Sequence, residues 1–234
     1  MNSERLEHPF EAVGYSGVMD LMLQGSLLDL ADEMSLGRLP AGLHRTELGA
    51  SAWVDVRPGW LAAGDELFAL LVRSVPWRAE RRTMYDSVVD VPRLTKFYAA
   101  GEPLPHPLLD TARDALSVHY EAELGEPFVT AGMCLYRDGR DSVAWHGDRI
   151  GRSNDVDTMV AILSLGSART LALRPRDGGR IPGSLQKSLR LPLAHGDLVV
   201  MGGSCQRTWD HAIPKTSEPV GPRISVQFRV AGVR

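Results

Sequence analysis

The chain has 234 residues, 44% of them hydrophobic and 24% charged, which suits one large globular domain or one domain with an extension. Its formal net charge of -3 at pH 7 excludes a globally basic protein, so any nucleic-acid partner must be held by a local basic patch. No stretch reaches the roughly 18 apolar residues of a membrane span, and two cysteines, Cys134 and Cys205, exclude a cysteine-rich zinc framework.

In chain order, the opening MNSERLEHPFEAVG lacks an apolar run behind a basic start, so a cytoplasmic protein with reduced thiols is expected. GVMDLMLQGSLLDLADEM carries helix-like apolar spacing at Val18, Leu21, Leu28 and Met34, interrupted by Gly25; a helix, a loosely packed arm, or both fit it. SAWVDVRPGWL reads as a strand running into a turn at Pro58-Gly59. AAGDELFALLVRSVPW reads as an amphipathic helix with Asp65 and Glu66 near its start and Pro76 beyond its end. TARDALSVHYEAELG predicts a second helix, closed by Gly125.

After Gly125 the texture changes. FVTAGMCLY, TMVAILSLG, TLALRP, LRLPL, DLVVMGG and ISVQFRV are short apolar runs separated by turn residues, the pattern of a β-sandwich or barrel. The two helices are expected to pack on one sheet face. We divide the chain into an N-terminal arm (1–50), a helix-and-strand extension that includes a substrate lid (51–127) and a β core (128–234).

Chemistry centres on WHGDRIG, in which His146 and Asp148 stand two apart. On a strand, residues i and i+2 share a face, so the pair could aim a nitrogen and an oxygen at one point. HGD recurs at His195-Gly196-Asp197, so the spacing alone leaves both a metal pair and a turn open. The second copy sits directly before an apolar strand and reads as turn chemistry, with Asp197 capping the turn. His211 follows Asp148 by 63 residues, room for another strand to return and complete a two-His, one-carboxylate set suited to non-haem Fe(II). PRISVQFR places Arg223 and Arg229 on one strand face. A core-facing arginine needs an anion, and a guanidinium fork matches a carboxylate such as that of 2-oxoglutarate. An outer strand face in water is the alternative for both arginines.

The ordered set LYRDGRDSVAWHGD, LAHGDLVVMGGSCQRTWDHAIPK and GPRISVQFR, with VDVPRLTKFY and WVDVRPGWL…LFALLVRSVPW upstream, resembles the AlkB family of Fe(II)- and 2-oxoglutarate-dependent dioxygenases over about residues 50–232. The resemblance implies a mostly β (α+β) fold, a double-stranded β-helix (jelly-roll) core with an N-terminal helix-and-strand extension. It implies Fe(II), with 2-oxoglutarate and O2 as co-substrates. His146, Asp148 and His211 are then the metal and catalytic set. Arg223, Arg229, Tyr136, Cys134 and Ser225 fall at the 2-oxoglutarate positions, Cys134 and Ser225 standing where asparagines are frequent.

The implied reaction is oxidative demethylation of nucleobases such as 1-methyladenine and 3-methylcytosine, releasing formaldehyde, succinate and CO2. The implied partner is alkylated nucleic acid, single-stranded DNA first and RNA second, with a monomer as the working unit. Trp77, Tyr85, Phe97 and Tyr98 are candidates for base stacking; core packing is the alternative for each. Arg149, Arg174 and Arg176 are candidates for substrate phosphates. The chain departs from the family pattern where Arg149 and Ile150 follow Asp148 in place of an acidic pair, and where no aromatic lies between Tyr98 and Tyr120. Those departures keep a second reading open, the same chemistry on RNA, protein or a small molecule. A non-catalytic jelly-roll binding module is a third.

Overall fold

A computed structural model describes residues 33–84, 87–148, 155–176 and 188–233 of the chain. The helix-like spacing through residue 32, Tyr85 and Arg149 lie outside the described residues.

In chain order the elements are β1 (Ser35–Leu36), β2 (His44–Gly49), β3 (Ala52–Arg57), β4 (Leu61–Ala62), α1 (Asp65–Ser74), β5 (Arg78–Met84), β6 (Ser87–Tyr98) and α2 (Pro107–Leu124). There follow β7 (Thr130–Tyr136), β8 (Val143–His146), β9 (Val160–Gly166), β10 (Arg169–Pro175), β11 (Leu189–Leu193), β12 (Leu198–Gly202), α3 (Cys205–Thr208), β13 (Trp209–Ile213) and β14 (Arg223–Arg229). An eight-stranded sheet, β2-β3-β12-β9-β14-β7-β6-β5, faces a four-stranded sheet, β11-β10-β13-β8, and β1 pairs with β4. Every pairing is antiparallel. This is the jelly-roll architecture. The large sheet draws strands from all three stretches marked out in the sequence, with β2 and β3 forming a hairpin that turns at Ala50-Ser51.

Period-two alternation divides the interior. Ile224, Val226 and Phe228 of β14, Met133 and Leu135 of β7, and Ala161, Leu163 and Leu165 of β9 point to one side. There they pack against Leu67 and Leu71 of α1 and Leu109, Ala112, Leu116 and Tyr120 of α2. Both helices thus cover the outer face of the large sheet. Each fully buried Leu or Phe there contributes about 2 kcal/mol. The other side, with Cys134, Tyr136, Val160, Ile162, Val199 and Met201, packs against Leu171, Leu173, Leu193, Trp209 and Ile213. That second layer is the space between the sheets.

Helix α2 begins where the His106 ring accepts from the Leu108 N–H at 3.2 Å, with Pro107 at the first helical position, where its missing N–H costs nothing. It stops at Gly125, whose φ of +71° is left-handed, a conformation that glycine takes without strain.

Candidate metal centre

His146 ends β8, and His211 is its direct cross-strand partner on β13. Residues so paired hold their Cβ atoms about 5 Å apart, and the two imidazole centroids are 4.3 Å apart. Asp148 lies two residues past the end of β8, so strand alternation does not aim it. Instead its backbone N–H donates to the side-chain oxygen of buried Gln206 on α3 at 2.9 Å. One ligand atom from each of His146, Asp148 and His211 lies within 4.8 Å of the others, the one such group of three among the described residues.

The protonation states suit a cation. The His146 Nδ1–H is placed to donate to the Ala144 carbonyl at 2.8 Å, which leaves Nε2 as the free lone pair. Burial and the neighbouring His146 ring push His211 down to about 3, so it is a neutral imidazole near pH 7. Burial works against the charge of Asp148. Arg229 beside it prevails and holds its carboxyl well below the usual carboxylate range. Arg229 is the anchor: its Nε donates to Asp148 Oδ2 at 2.8 Å and its Nη2 lies 2.6 Å from the same oxygen.

One cavity joins this trio to the inward row of β14. Arg223, Ser225, Gln227 and Arg229 line it with Cys134, Tyr136 and Arg93. Arg223 is 1% exposed. Its Nε donates to Ser164 Oγ at 3.0 Å, whereas Nη1 is buried without a protein partner. Burial pulls this guanidinium below the usual arginine range, yet it stays a cation. A buried cation with an unmatched donor facing a cavity calls for an anionic ligand. Tyr136, with the Arg223 guanidinium 5.3 Å from its ring centroid, is pushed up to about 12 by burial and remains a phenol able to donate.

All eight residues named for the metal and co-substrate therefore meet in one cavity. The substrate candidates divide. Trp77 packs against the outer core and donates to the Val72 carbonyl, and Tyr98 is 5% exposed in the same core. Both pack on the helix side of the large sheet, Tyr98 because its position on β6 alternates away from the cavity and Trp77 in the connection between α1 and β5, and neither lines the cavity. Phe97 points the other way and is 36% exposed; its cross-strand partner is Gly132. Tyr85 and Arg149 fall outside the described residues. Arg174 is exposed and lies 4.3 Å over the Trp145 ring, and Arg176 donates to the Arg207 carbonyl; neither lines the cavity.

The second HGD is built into the fold. Asp197 accepts from the Gly59 and Ala194 N–H groups, each at 2.8 Å, and His195 Nδ1 accepts from the Gly166 N–H at 2.9 Å.

Sequence reasoning did not reach Arg93, Gln206 or Gln227. Arg93 donates to the Ser142 carbonyl at 3.3 Å and keeps a buried Nε without a protein partner. The signal for Gln227 was present, since period two places it on the face of Arg223 and Arg229. Gln206 carried none, because α3 is a single turn whose aim depends on packing.

A family model described as the 2OG-Fe(II) oxygenase superfamily matches residues 66–229. The chain is 31% identical over 215 residues to the human alpha-ketoglutarate-dependent dioxygenase alkB homolog 3, covering 84% of this chain and 69% of that protein. It is 31% identical over 184 residues to the human DNA oxidative demethylase ALKBH2, covering 72% and 69%. The structure of OsALKBH1 superimposes with a TM-score of 0.55 at 13% identity, over 80% of this chain and 99% of that one, a likeness of fold.

Proposed function

The chain belongs to the 2OG-Fe(II) oxygenase superfamily and, within it, to the AlkB family; from that premise we propose that His146, Asp148 and His211 hold the Fe(II) of an oxidative nucleobase demethylase. The chain is an AlkB-like dioxygenase that uses Fe(II), 2-oxoglutarate and O2 to demethylate alkylated bases. The observation that carries the site assignment is the meeting of two imidazole nitrogens and one carboxylate in the cavity that also holds buried Arg223. Bound there, iron would supply the oxidation that converts 2-oxoglutarate to succinate and CO2, with one oxygen atom of O2 going to succinate and the other into a methyl C–H bond of the base. The resulting N-hydroxymethyl group releases formaldehyde and leaves the bare ring nitrogen.

The chain's own part is positioning. Arg223 and Tyr136 fix the far carboxylate of 2-oxoglutarate, since both are buried donors lining the cavity. Arg229 and Gln206 hold Asp148 from two directions, so the carboxylate has one orientation to offer a cation. The apolar lining of Ile162, Leu171, Leu193 and Ile213 keeps bulk water from the reacting atoms.

For the substrate we propose single-stranded DNA. A base must leave its stack to reach a buried trio, and an unpaired strand gives it up at less cost. Phe97, half-open opposite Gly132, is the base platform, and exposed Arg174 meets phosphate. The test is a panel of single-stranded oligonucleotides carrying 1-methyladenine or 3-methylcytosine, assayed for formaldehyde and succinate. One formaldehyde per repaired base is expected. His146→Ala and Asp148→Ala should lose at least a thousandfold in turnover, and His195→Ala should keep it. If methylated oligonucleotides yield no formaldehyde and leave 2-oxoglutarate consumption unchanged, the nucleobase reading fails.

A further inference from the structure

Between the two arginines of β14 stands a residue with no role so far. Gln227 is half-buried, lines the cavity and is the one side-chain carboxamide among its lining residues. Its orientation is set by its neighbours. Arg229 Nη2 lies 3.4 Å from Gln227 Oε1; a guanidinium can only donate, so the carbonyl oxygen faces Arg229. The amide NH2 then faces the other way, donating to Ser225 Oγ at 2.7 Å and toward Cys134 Sγ at 3.5 Å. Across the ladder Gln227 pairs with Gly132. A Cβ at that glycine would come within 2.7 Å of Arg229 Nη1 and 3.0 Å of Gln227 Oε1. Glycine there leaves room for both side chains, and the small side chains of Cys134 and Ser225 leave room for the amide to turn.

We propose that Gln227 is a co-substrate-binding residue whose amide N–H groups donate to the 2-oxoglutarate carboxylate at the end nearer the metal. Three observations support it. Arg223 serves the other end of the cavity, and Arg229 directs both Nε and Nη2 at Asp148, so neither is free to serve this carboxylate in full. The N–H aimed at Cys134 is held by a sulfur, a weak acceptor, and exchanging it for a carboxylate oxygen is favourable. Finally, the Arg229 contact pre-orients the amide, so little side-chain entropy is lost on binding.

The proposal rests on the reading of the cavity as an iron and 2-oxoglutarate site. Its test is calorimetric titration of 2-oxoglutarate into the full chain loaded with Mn(II) without O2, for wild type, Gln227→Leu and Gln227→Glu. Leucine removes the donors, and roughly tenfold weaker binding is expected. Glutamate keeps the shape but sets a carboxylate against a carboxylate, so it should bind more weakly still. A space-filling role predicts the reverse order, because glutamate is nearly isosteric with glutamine. Adding Cys134→Asn to Gln227→Leu returns a carboxamide to the same space and should recover most of the lost affinity. Equal affinity in all three proteins, or a glutamate variant that binds better than the leucine variant, overturns the proposal. A wild-type chain that takes up no 2-oxoglutarate with Mn(II) overturns the parent reading, and this one with it.

Discussion

Arg223 and His211 have opposite electrostatic problems. Arg223 keeps its charge while 1% exposed, and one of its nitrogens finds no protein acceptor. His211 is kept neutral by burial and the His146 ring, as a metal ligand must be. The first expectation at this scale concerns geometry rather than charge. Arg223→Lys keeps the cation but loses the planar fork. Its affinity for 2-oxoglutarate should fall roughly 30- to 100-fold, measured by the same Mn(II) titration. A change of less than threefold would place the anchor elsewhere. Arg223 and Arg229 were legible in the sequence because period two on a strand is a local property; Asp148 lies past the end of β8, and its aim depends on Gln206 instead. The surroundings of Trp77 and Tyr98 were not legible: an aromatic looks the same in sequence whether the fold turns it to the helices or to the cavity.

Single residues also join elements. Asp55 of β3 is fully buried and ion-paired with Arg45 of β2 through bonds of 2.8 and 2.7 Å. It also accepts from the Tyr120 hydroxyl of α2 at 2.9 Å. Arg45 reaches on to Glu123 of α2 at 2.8 Å and lies 3.7 Å over the Trp53 ring. This network ties the β2–β3 hairpin to the covering helix. Asp55→Ala leaves a buried hydroxyl and a guanidinium without their acceptor. The expected loss of stability is about 3 kcal/mol, toward the low end because water reaches Arg45. For a chain of this size that is a fall in Tm of roughly 6–12 °C, read by calorimetry. Turnover at low temperature should survive, since no atom of this network lines the cavity. Helices α1 and α2 were readable from their periodicity and from Gly125. The short α3 was not, although it carries the residue that aims Asp148.

For the molecule as a whole, packing between the two sheets sets the response to alkali. Burial pushes the Cys205 thiol up to about 12 and the Tyr136 phenol to about 12. In the unfolded chain a thiol releases its proton near pH 8.5 and a phenol near 10. Their folded values are raised, so their contribution to stability is complete below about pH 8.5 and is lost as pH climbs toward 12. Tm should therefore decline steadily from pH 9 to 11. At pH 9 iodoacetamide should label Cys205 only after denaturant is added, as peptide mass spectrometry would show; rapid labelling of the native chain would refute the burial. The sequence by itself determined a sandwich or barrel of short strands and their faces, because alternation and turn residues act over a few neighbouring positions; the jelly roll and the candidate metal set came from the ordered motifs shared with the AlkB family. Only the tertiary structure decided that β8 and β13 lie side by side, that Gln206 holds Asp148, and that Trp77 and Tyr98 pack on the helix side. Those depend on sheet order and on contacts between distant stretches of chain, which local periodicity does not encode.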